Sequence, residues 1–161
     1  MSIQFADGSS TLAPGRHLAT ADEILDALVD AFPNSTSRVP IYAQWQTLLE
    51  AIERMIKVEE QWIDGSFVTK KENPGDIDLV SHVDGPTLEQ LGPVDQMLLH
   101  GVLAGHQSRD LHLCDSFFIA IYPEGHPARP IYEQALSIWE SIFGTDRGGD
   151  PKGFVELQRD G

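Results

Sequence analysis

Apolar positions along this chain change period several times, and the changes mark its elements. Ile24, Leu25, Leu28, Val29 and Phe32 recur at helical spacing, behind a capping box made by Thr20 and Glu23. Pro33-Asn34-Ser35 ends that run, and Ser37 is placed to cap a second helix with Pro40 in its first turn. Its stripe is Ile41, Trp45, Leu48, Leu49, Ile52, Met55 and Ile56, a core-facing pattern. Short runs at Trp62–Gly65 and Asp76–Val83 read as strands, separated by a loop with Lys70, Lys71 and the turn pair Pro74-Gly75. A helical pattern runs from Leu88 to Val102, with Pro93 placed to interrupt it early. Leu111–Tyr122 is dense in β-favouring residues, Ile131 to Ile142 marks a helix stopped at Gly144, and Gly153–Leu157 suits a closing strand.

This order predicts an α+β fold, a small mixed β-sheet flanked by helices. Residues 1–19, rich in Gly, Ser, Thr and Pro, read as a flexible lead-in, and residues 20–161 as a single domain.

Composition narrows the partners. A net charge of −14 repels a phosphate backbone, so DNA binding is not expected, while a basic protein partner is electrostatically welcome. No run of about 18 apolar residues occurs, so no membrane span is expected. The single cysteine, Cys114, excludes an internal disulfide and fits a reducing cytoplasm, the expected location. His100, His106 and His112 fall six residues apart, a spacing that matches no common zinc pattern.

The most informative chemistry lies between residues 62 and 79. Gly65-Ser66 closes one apolar run, and Asp76-Ile77-Asp78-Leu79 opens the next. With 25 acids in 161 residues, an acidic pair at i and i+2 is expected about four times by chance, so that pair alone means little. Joined to a preceding Gly-Ser at this distance, with apolar residues after both acids, the expectation drops to roughly 0.06. Asp76 and Asp78 share a strand face about 7 Å apart, a spacing that suits a shared pair of magnesium ions about 3.5–4 Å from one another. Asp115, an acid at the parity of Leu113, Phe117 and Ile119, is the candidate third ligand or base. Gly65 lets the backbone approach a phosphate, Ser66 adds a hydroxyl donor, and Lys70 and Lys71 are placed to neutralise β and γ oxygens. Lys152-Gly153, after Asp146-Arg147-Gly148-Gly149, makes a second basic, glycine-rich turn, a weaker candidate for the same cleft than the loop lysines.

These residues resemble the signature of the nucleotidyltransferase superfamily with the DNA polymerase β-like core: Gly65, Ser66, a spacer, then Asp76, Ile77, Asp78 and Leu79, with Asp115 as the third acid. The wording Trp62–Val80, with Phe143–Arg147 and Lys152–Val155, is similar to a poorly characterised bacterial and phage group of small nucleotidyltransferase-like proteins. The resemblance implies nucleoside triphosphate and Mg2+ binding and transfer of a nucleoside monophosphate to a hydroxyl acceptor, in a toxin–antitoxin or phage-defence setting. Two positions depart from the signature: Asp64 stands where it has an apolar residue, and Ser116 follows Asp115. They favour the alternative, a catalytically silent relative that binds a basic partner as antitoxin or sensor.

Overall fold

A computed structural model describes residues 2–103 and 113–159. Its strands are β1 (Gly15–Ala19), β2 (Val58–Asp64), β3 (Ile77–Asp84), β4 (Cys114–Ile121) and β5 (Gly153–Leu157). Its helices are α1 (Ala21–Leu25), α2 (Arg38–Glu53), α3 (Gly85–Gln90), α4 (Pro93–Val102) and α5 (Arg129–Phe143). The strands form one mixed sheet in the order β1-β5-β2-β3-β4, so the expected α+β architecture is present. β5 runs parallel to β1 and antiparallel to β2, β2 is antiparallel to β3, and β3 is parallel to β4.

Part of the segment read as a flexible lead-in is built into this sheet. Gly15–Ala19 pairs in register with Gly153–Leu157, Phe5 bridges Leu12, and Ile3 and Leu12 are buried. Its glycines and prolines hid a strand whose partner lies at the far end of the chain.

Strand alternation divides the core in two. One sheet face presents Ile63, Ile77, Leu79, Val83, Cys114, Val155 and Leu157 to Ile24 and Leu28, and to the Ile41, Trp45, Leu48 and Ile52 stripe of α2. The other face presents Trp62, Val80, Ile119 and Phe154 to Phe143 and the half-buried Tyr132, Leu136 and Trp139 of α5. Helices thus cover both sides. No helix among the described residues is long and apolar enough to cross a membrane.

Helix boundaries follow local chemistry. Thr20 and Glu23 form the expected capping box, after which α1 widens into a π-helical turn over Asp26–Asp30. Ser37 occupies the N-cap of α2 without a side-chain bond; Ser35 Oγ accepts instead from the backbone N–H of Ser37 (3.3 Å) and Arg38 (3.2 Å). The pattern from Leu88 to Val102 is two helices, because Pro93 opens α4 as its first residue and Gly92 breaks the run. Leu111 and His112, the first residues of the long strand expected to Tyr122, lie outside the described residues, as does His106.

Candidate metal centre

The C-terminal end of β2 and the N-terminal ends of β3, β4 and β5 meet at one end of the sheet, on the face that α5 covers. Sequence alternation places Asp78 on this face with Val80 and Trp62. The antiparallel pairing sets Asp64 opposite Asp78, and the parallel pairing sets Asp115 beside Asp78. Three aspartates therefore form a row across three adjacent strands, with Asp76 just ahead of β3.

Asp76, Asp78 and Asp115 each offer a carboxylate oxygen, and these oxygens lie within 4.8 Å of one another. Asp76 and Asp78 are half-buried and Asp115 is 4% exposed. Among the described residues this is the cluster suited to a metal ion. A set of hard carboxylate oxygens fits Mg2+ or another oxygen-seeking divalent cation and not a thiolate- or imidazole-seeking one.

The triad lines a cleft of about 700 Å³, within the range of small-molecule sites. Gly65, Ser66 and Lys71 line it too, together with Thr11, Asp64, Arg147 and Lys152. Lys70 does not: its Nζ sits 5.2 Å from the centre of the Phe5 ring, and its backbone N–H donates to Ser10 O at 2.9 Å. Of the two loop lysines, Lys71 therefore lines the cleft and Lys70 lies against Phe5. Gly65 has φ +89°, a conformation side chains disfavour, and it turns the chain from β2 into a 3₁₀ turn at Ser66–Val68.

The loop from Gly65 to Asp76 is held from beneath by Arg38, which is fully buried. Its Nη1 donates to Leu28 O and Phe67 O, both at 2.7 Å. Its Nη2 donates to Thr69 O at 2.7 Å and Lys71 O at 2.6 Å. The guanidinium also lies 3.9 Å over the Phe32 ring, and burial lowers its pKa to about 10, so it stays charged. One arginine thereby fixes three carbonyls of the loop that carries Ser66 and Lys71.

Asp64 is the residue sequence reasoning treated as a mere departure. It is 5% exposed, and its Oδ1 accepts from Lys152 Nζ at 2.5 Å. Burial pushes its carboxyl up to about 6, while Lys152 opposes that rise. The available signal was parity: once β2 pairs antiparallel with β3, an acid two residues after Trp62 must share the face of Asp78. Cys114 lies on the opposite face, and burial, with the charges of Asp76 and Asp115, pushes its thiol up to about 12. It is a core cysteine and no nucleophile. His126 stacks on Tyr122 at 4.6 Å and is not among the residues lining the cleft.

The fold and the site define an α+β protein with a three-carboxylate cluster at one end of a mixed sheet, able to bind a metal ion. Over residues 3–158 the chain belongs to DUF6932, a family of unknown function. No curated protein and no solved structure matches it.

Proposed function

We propose that this protein is a magnesium-dependent nucleotidyltransferase that moves a nucleoside monophosphate from a nucleoside triphosphate to a hydroxyl acceptor. The observation that carries this reading is the carboxylate cluster of Asp76, Asp78 and Asp115 in a cleft that also holds Lys71, Arg147 and Lys152. Acids that gather metal ions and cations that meet phosphate oxygens occupy one site of nucleotide size. The glycine-serine turn and the spacing to Asp76 support it from the sequence.

Bound Mg2+ would supply charge neutralisation of the phosphates and a lowered pKa for the attacking hydroxyl. Asp76 and Asp78 would hold it, with Asp115 as third ligand or base. Gly65 and Ser66 present backbone and hydroxyl donors to the phosphates, and Lys71 neutralises them. In the transfer, the acceptor oxygen bonds to the α-phosphorus as that atom's bond to the bridging oxygen breaks. Pyrophosphate departs, and the hydroxyl proton passes to a carboxylate of the cluster.

Thermal unfolding of the wild type and of Asp76→Ala/Asp78→Ala, with each of the four nucleoside triphosphates and with or without Mg2+, tests this. A magnesium-dependent rise in midpoint for at least one triphosphate, absent in the variant, is the expected result. No shift under any condition would sink it.

The second reading, a silent relative that binds a basic partner, draws on the net charge of −14 and on the ion-paired Asp64 beside the glycine-serine turn. Under it, loss of the aspartates leaves partner binding intact, and charge reversals on the acidic surface abolish it.

A further inference from the structure

Lys152 is unusually well fixed for a lysine. Its side chain is 14% exposed. Its Nζ donates to Asp64 Oδ1 at 2.5 Å and to Phe143 O, in the last turn of α5, at 2.6 Å. An ammonium has three donors, and these two acceptors occupy two of them. The backbone around it is tied as well: Lys152 N donates to Gly144 O at 2.9 Å, and Gly153 N to Leu12 O at 3.0 Å. Lysines lose side-chain entropy when ordered, and here that ordering is complete before any ligand arrives. The ordered amine lines the same cleft as the carboxylate triad.

Asp64 accounts for this placement. It stands in the row with Asp78 and Asp115, yet it is not part of the group whose oxygens lie within 4.8 Å of one another. It therefore sits beside the metal cluster as a neighbour and not as a fourth ligand. A carboxylate this buried needs a cation, and Lys152 supplies one from 88 residues away in sequence. The helix end at Phe143 adds a second acceptor of negative polarity.

We propose that Lys152 is the preorganised cation that receives the polyphosphate tail of the nucleotide, and that Asp64 is a positioning residue that aims it. The assignment rests on the nucleotide reading above and sharpens it. The third N–H of Lys152 meets a β or γ oxygen, while Asp64 and Phe143 O hold the other two. Lys70, which the sequence offered for that task, faces Phe5, so the second basic turn takes over its place.

The test uses inorganic tripolyphosphate with Mg2+, measured by calorimetry on the full chain, and terbium luminescence as a separate report on the triad. Four proteins are compared: wild type, Asp64→Leu, Lys152→Met and the double variant. The double variant matters because Lys152→Met alone buries an unpaired Asp64 and can fail to fold. Expected are a loss of at least tenfold in tripolyphosphate affinity for Lys152→Met and for the double variant, and a smaller loss, about threefold or more, for Asp64→Leu. In the Lys152→Met background, Asp64→Leu adds nothing further, because it acts through the lysine. Terbium binds all four alike. Wild-type affinity in the double variant overturns the assignment of Lys152. Equal effects of Asp64→Leu in both backgrounds, or loss of terbium with it, overturn the positioning role. A wild type that takes tripolyphosphate but no terbium leaves Lys152 assigned and sinks the metal reading of the triad. A wild type that takes neither sinks both.

Discussion

Gly65 and Asp78 face one another so closely that a Cβ on the glycine would lie 2.9 Å from Asp78 Oδ2. The missing side chain therefore leaves room for the carboxylate of the triad as well as for a ligand. Gly65→Ala meets two costs, a positive φ of +89° and this clash. The expected outcome is a destabilisation of about 1–3 kcal/mol, a drop of several degrees in melting midpoint. Asp78 is pushed from its partners at the same time, so the Mg2+-dependent rise in midpoint shrinks or vanishes. A calorimetric scan with and without Mg2+ checks both parts, and an unchanged magnesium response would separate Gly65 from the metal cluster.

Arg38 offers a sharper lesson, because its charge matters less than its shape. Lys at this position keeps the charge but cannot serve four carbonyls with one planar fork. Arg38→Lys, with three donors for four carbonyls, leaves at least one of the carbonyls of Leu28, Phe67, Thr69 and Lys71 unsatisfied in a buried place. The expected loss is about 3 kcal/mol, read by urea unfolding. Hydrogen exchange at the loop amides Val68 and Thr69 rises further than exchange in β3, since the loop loses its anchor first.

These two residues show what could and could not be read along the chain. Alternation of polar and apolar positions was enough to put Asp76 and Asp78 on one face and to place Asp115 as an acid among apolar neighbours. The strands and helices that bury a face, such as α2 and β3, carried their own signal. Arg38 did not, since a buried arginine in a helical first turn looks like any exposed one until the loop above it is seen. Asp64 with Lys152, and β1 with β5, are pairings between distant segments, and local periodicity holds no information about register between such segments. Lys70 and Lys71 were indistinguishable in sequence because the direction of a loop side chain is set by the packing of its neighbours.

On the sheet face beneath α5, Glu60 and Glu156 share a hydrogen bond, with Arg16 within 3.5 Å of both. The bond that the Glu156 carboxyl donates to the Glu60 carboxylate holds the proton on Glu156, and burial and the Glu60 charge add to this, so its carboxyl is raised to about 7. A folded-state pKa above the ordinary value of 4.5 means that its stabilisation is complete below pH 4.5 and lost as pH rises through about 7. Glu156→Gln keeps a donor that cannot ionise. The midpoint of this variant minus that of the wild type should therefore climb between pH 5 and pH 8. His82, also packed here against Trp62, is lowered to about 4 by burial and acts in the opposite sense, losing stability as pH falls from 6.5. It is present in both proteins and largely drops out of the difference. A flat difference curve across this range would refute the shared proton.

The position of β5 has a consequence for how the molecule is made. It follows every other described strand in sequence, yet it lies between β1 and β2 in the sheet. A chain emerging from the ribosome has β1 and β2 long before the strand that joins them, so β1 waits without its neighbour until Gly153–Leu157 is made. The turn bearing Lys152 arrives with β5. The acidic side of the cleft is thus translated first and its innermost cation last, and the site is completed only when the sheet closes.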